Sequence, residues 1–172
     1  MPAPRVFKFD HLAPLVVTRT LLHETAIRFA EEEFARKGEA PFMWLLGCGS
    51  RIVWVETPWE NDNEKYASVR AIRRMIDGLQ CDCYAHMSEA WVATGALLPK
   101  DEDYVQPSQR PKDERDDVLF VASRDRKGES MFTRYLVTIR RHGLNFLGPR
   151  IDEDHGFAGG IMGNLFRDED AT

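Results

Sequence analysis

Glu89 is the residue whose surroundings first suggest chemistry. It lies in CDCYAHMSEAWVAT, residues 81–94, a stretch whose alternation reads as a strand. A carboxylate entering an apolar layer can act as a general base or acid once burial raises its pKa. Alternate side chains on a strand share a face. Cys81, Cys83, Ala85, Met87, Glu89, Trp91 and Ala93 therefore fall together, opposite Asp82, Tyr84, His86, Ser88, Ala90, Val92 and Thr94. The first face is the more apolar and is expected to meet the helices. His86 and Glu89 face opposite ways unless a bulge intervenes, so they form no general-base pair. Help for Glu89 must come from Arg110 or Arg115, from Lys65 or Arg70, or from His155. A buried carboxylate is costly alone, so an ion pair or a cap on backbone donors explains Glu89 structurally. That structural reading stands ahead of the catalytic one.

Other constellations are weaker. Cys81, Cys83 and His86 lack the CxxC-type turns that gather four zinc ligands, and Cys48 belongs to a separate hairpin, so buried free thiols are expected. HETA holds His23 and Glu24 without the second histidine of a zinc protease. IDEDHG places Asp152, Glu153, Asp154 and His155 together but does not continue as a calcium loop, which leaves an acidic turn. There is no GxSxG, Walker-type or GxGxxG pattern, so neither a metal nor a cofactor is expected. Trp59, just before a helix start, reads as a staple over the first turn rather than an aromatic rim at an anion site.

The elements that must position these residues follow from periodicity. Leu22, Ala26, Phe29, Ala30 and Phe34 make the stripe of a first helix, capped by Thr18 or Thr20 and ended by Gly38. A hairpin follows around Gly47, Gly49 and Ser50. The second helix starts at Asn61, Asp62 or Asn63, buries Tyr66, Val69, Ile72, Ile76 and Leu79, and stops at Gly78. After the 81–94 strand comes a long polar loop, 99–117, then DVLFVASRD, the turn RKG and ESMFTRYLVTIRRHG as a second hairpin. Residues 1–18 are an extended lead, and 150–172 a glycine-rich segment in which Phe157, Ile161 and Phe166 have helical spacing. The expected fold is a single α/β (α+β) domain. It has a central mixed, largely antiparallel sheet of about five strands, with both helices on one face.

The run from APFMWLL through RIVWVETPWENDNEK to SEAW, then PSQRP and DVLFVASRD, resembles a loose group of uncharacterised proteins from bacteria and bacteriophages. The resemblance implies a single domain of bacterial or phage origin and carries no activity with it.

The chain has 172 residues and a net charge of -5, which argues against nucleic acid as partner. No segment has membrane-spanning length. Three cysteines without a secreted framework point to the cytoplasm, the host's if the protein is phage-encoded. Two functions are expected. The first is a non-enzymatic accessory protein that binds another protein or itself, with Trp91, Trp59, Arg115, Phe157, Ile161 and Phe166 as contact residues. The alternative is a hydrolytic or proton-transfer enzyme centred on Glu89, with the long loop as lid and an arginine orienting an anionic substrate.

Overall fold

The computed structural model describes residues 5–9, 16–93, 105, 109–139, 145–153 and 165–166. Strand β1 (Arg5–Phe9) lies within the extended lead. Helix α1 (Arg19–Lys37) starts where the Thr18 side chain accepts the Leu21 amide at 3.2 Å, and ends at Gly38 in the left-handed conformation (φ 76°). Strands β2 (Met43–Cys48) and β3 (Arg51–Glu56) form the expected hairpin, with Gly49 at φ 63° in its turn. Helix α2 (Asp62–Gly78) is capped by Asn61, whose side chain accepts the Glu64 amide. Strands β4 (Cys83–Ala93), β5 (Arg115–Asp125) and β6 (Ser130–Ile139) follow, then short strands β7 (Asn145–Leu147) and β8 (Ile151–Glu153).

The class is α/β, as the periodicities imply. All described strand pairs are antiparallel, in the order β1-β3-β2-β4-β5-β6-β7, with β8 also on β6. The three added strands are the lead strand and two three-residue strands, all too short or too irregular to show a period. Strand β5 also begins at Arg115, inside the stretch expected to be loop, because Arg115, Asp116 and Asp117 pair with Ala93, Val92 and Trp91.

The helices do not share a face. Leu22, Ala26, Ile27, Ala30 and Phe34 of α1 pack with Leu45, Cys83, Ala85, Met87, Leu119 and Val121. Val69, Ile72 and Ile76 of α2 pack with Trp44, Leu46, Val55 and Tyr84 on the reverse side. The physical reason is legible in β2 and β4. Trp44, Leu46, Tyr84 and His86 make their second face as apolar as the first, so it too needs a cover. Tyr66 and Leu79, expected in the α2 stripe, are exposed, because only the middle turns of α2 meet the sheet.

Candidate functional site

The opening stretch ends at a rim of the sheet. Strand β4 has 11 residues and runs on past the end of α1. From Cys83 to Met87 its first face lies under the helix, but Glu89 and Trp91 lie beyond it and are exposed. The chain leaving α1 crosses here, and the Ala40 N–H donates to Glu89 Oε1 at 2.7 Å. Burial of the carboxyl tip raises the Glu89 pKa, and the charges of Glu39 and Asp117 push the same way against the Ala40 hydrogen bond. Glu89 thus caps a backbone donor at the sheet rim. Lys65 and Arg70 belong to α2, on the reverse face, and the Arg110 Nε donates to the Val105 carbonyl; His155 lies outside the described residues. Arg115 is brought close, with its guanidinium carbon 4.5 Å from the Trp91 ring centroid.

Trp59 turns inward, as the staple reading expects, but its partners lie on the sheet rather than in the first turn of α2. Its ring is 4.4 Å from Phe42 and 6.4 Å from His86. His86 is also 4.1 Å from Trp44 and 5.5 Å from Phe120. Both its ring nitrogens are buried without a hydrogen bond, and burial pulls its pKa down to about 3. Phe166 packs on Tyr84 at 5.3 Å. Phe157 and Ile161 lie outside the described residues.

The cysteines differ from expectation. Cys48 and Cys81 form a disulfide, and only Cys83 is a free thiol. The strand begins at Cys83, and Gln80 turns the chain with φ 52°, so alternation does not extend back to Cys81. Cys81 consequently faces the α2 side and Cys83 the α1 side. With a disulfide present, cysteine usage no longer argues for a reducing compartment. Burial, then the Asp82 charge, pushes the Cys83 thiol up to about 12, so it is no nucleophile at neutral pH.

A polar network joins residues that are remote in sequence. His23, fully buried on α1, has Nε2 2.9 Å from Thr133 Oγ1 on β6. The Thr133 hydroxyl donates to Asp152 on β8 at 2.5 Å. Its one proton is then used, so His23 Nε2 carries the hydrogen and donates to the threonine oxygen. Burial lowers the His23 pKa to about 4, which keeps the ring neutral. Arg150 closes the network, donating to both oxygens of Asp152 and to both of Glu24 at 2.8–3.1 Å. Those contacts with Arg150 hold the Glu24 and Asp152 carboxyls below their ordinary pKa values. The hydrogen-bond direction is opposite to that of a nucleophile–base pair, in which histidine would accept the hydroxyl proton. The network therefore straps β8 to α1 and performs no attack. The signal for it was a polar residue at core positions of two packed elements: His23 beside Leu22, and Thr133 between Met131 and Tyr135.

Among the described residues, no group of three or more His, Cys, Asp or Glu side chains is placed to hold a metal ion. No helix of the described chain is long and apolar enough to cross a membrane. In comparisons with known proteins, no family model, no curated protein and no solved structure matches the chain.

Proposed function

We propose that the protein works by binding protein rather than by catalysis, through the exposed outer end of β4 and β5, with a second copy of itself as the partner. The observation that carries this reading is Trp91, 49% exposed on a rigid strand with the Arg115 guanidinium stacked on its ring. Tryptophan and arginine dominate protein-binding hot spots because each offers a large contact area together with hydrogen-bonding groups. Glu89 and Asp117 share that face of the sheet, so the patch carries both charge signs and complements itself across a two-fold axis. A net charge of -5 favours protein over nucleic acid. The resemblance of the middle of the chain supports a bacterial or phage-encoded accessory protein acting in the cytoplasm.

The catalytic alternative rests on the raised pKa of Glu89, a property suited to a general acid. The same carboxylate is exposed and caps a backbone amide, which favours a positioning role.

Sedimentation across protein concentration tests the reading. A dimer is expected, and Trp91→Ala should weaken it about 30-fold while leaving the fold intact. A wild-type chain that stays monomeric up to about 100 μM would sink self-association. A dimer indifferent to Trp91→Ala and Arg115→Glu would place the interface elsewhere.

A further inference from the structure

On the α2 side, the chain returns to the sheet at Leu165 and Phe166. Leu165 is 2% exposed, and its N–H donates to the Tyr84 hydroxyl at 3.3 Å. Phe166 packs on the Tyr84 ring, and the Arg126 guanidinium carbon lies 5.0 Å from the Phe166 ring centroid. Arg126 is itself anchored, its Nε donating to the Cys81 carbonyl at 2.8 Å. Two more arginines converge here. Arg124 stands opposite Tyr84 in the β4–β5 register, and Arg73 comes from α2. Burial pushes the Tyr84 hydroxyl up in pKa, while the Leu165 amide and the charges of Arg124 and Arg73 act against it.

Three guanidiniums from separate parts of the fold thus surround the point where the chain leaves Phe166. Gathering like charges is unfavourable unless an anion offsets them. The sequence after Phe166 reads RDEDAT, with Asp168, Glu169 and Asp170 in succession. These lie outside the described residues. Four residues of extended chain reach about 13 Å, enough to bring all three carboxylates to the arginines.

We infer that Arg73, Arg124 and Arg126 form a binding surface for an acidic peptide, and that its occupant is the Asp168, Glu169 and Asp170 segment of the same chain. Guanidinium suits this role because its fork of donors matches a carboxylate. The surface lies on the opposite side of the sheet from Trp91, so it is separate from the proposed self-association. Its effect is to fasten Leu165 and Phe166 over the Cys48–Cys81 bridge and the α2 core.

The experiment compares the full chain with the triple variant Asp168→Asn, Glu169→Gln and Asp170→Asn, following hydrogen exchange at the Leu165 amide in low and high salt. The wild type should protect this amide at low salt and lose about tenfold of that protection in high salt. In the triple variant, exchange should already be about tenfold faster and indifferent to salt. Equal, salt-independent exchange in the two proteins would overturn the inference. So would faster exchange in the variant with the wild type insensitive to salt, because the segment would then act through something other than charge.

Discussion

His23 and His86 sit on opposite faces of one sheet, both buried, both neutral at pH 7, and they are held in unlike ways. His23 is part of a hydrogen-bonded chain through Thr133 to Asp152 and Arg150. His86 touches Trp44, Trp59 and Phe120 and has no hydrogen bond at either nitrogen. The first is used for its N–H, the second for its ring. An unpartnered buried imidazole keeps its place through aromatic contact alone, at the cost of lost hydration. The α1 face is consequently fastened by polar bonds and the α2 face by packing.

The largest expected effect is a shared one. Burial places the folded pKa of His23 at about 4 and that of His86 at about 3, against 6.5 for the free side chain. Above pH 6.5 both states are neutral and neither group resists folding. As the pH falls below 6.5, the unfolded chain takes up protons that the folded one refuses, so stability drops until the folded pKa is reached. The limiting losses are about 3 kcal/mol for His23 and about 5 kcal/mol for His86. Urea unfolding between pH 7 and pH 4 should therefore show a slope of about 2–3 kcal/mol per pH unit. A flat profile over that window would mean that one or both rings are solvated in the native state.

Substituting the histidines one at a time separates the two faces. His86→Phe keeps an aromatic ring in the cage and removes the unpaired nitrogens, so stability at pH 7 should change by less than about 1 kcal/mol. At pH 4 the same variant should exceed the wild type by about 3 kcal/mol. His23→Leu should instead cost about 1–3 kcal/mol at pH 7, because Thr133 loses its donor in a site closed to water. If both variants cost the same at pH 7, the contrast between the faces fails.

Much of this architecture was readable in advance because it depends on local signals. Thr18, Gly38 and Asn61 mark helix ends, and Gly49 marks a hairpin, through conformations or caps that few other residues supply. Alternation from Cys83 onward correctly separated Glu89 from His86. What escaped was set by long-range pairing. Cys48 meets Cys81 only because β2 neighbours β4 and because the strand starts two residues later than its apolar pattern implies. The strap from His23 to Arg150 joins α1, β6 and β8, and nothing in a linear pattern brings those together. Trp91 counted as core on periodicity, but a strand can keep its alternation beyond the helix that covers it.

Two glycines sharpen the same comparison at smaller amplitude. A Cβ at Gly47 would lie 2.6 Å from the Cys83 sulfur and 3.1 Å from Val17 Cγ1, on the α1 face. Gly47→Ala should cost about 1–3 kcal/mol, since both neighbours are buried and have little room to shift. At Gly78, the last residue of α2, an added Cβ meets nothing within 4 Å. Gly78→Ala should raise stability by about 0.5–1 kcal/mol through helix propensity. Thermal unfolding of the two variants side by side checks both signs. A stabilised Gly47→Ala would show that the contact under α1 is looser than these distances allow.

The smallest effect is expected at Glu89, where the polar α1 face meets solvent. Its folded pKa is raised, first by burial and then by the charges of Glu39 and Asp117. A carboxyl of this kind binds protons more readily in the folded state than in the unfolded one. Its charged form therefore opposes folding above the folded pKa, and the penalty fades as acid protonates it. Glutamine retains an oxygen to accept the Ala40 N–H and carries no charge. Glu89→Gln should then be as stable as the wild type at pH 7 or slightly more so, and the two should converge below the carboxylate range. Asp152 provides the contrast, because its pairing with Arg150 lowers its pKa and makes its charge favourable. Asp152→Asn should therefore destabilise the folded state at pH 7 where Glu89→Gln does not. Thermal scans of both variants across pH decide the matter, and a clear loss of stability in Glu89→Gln at pH 7 would show that its charge, and not only its oxygen, holds the rim together.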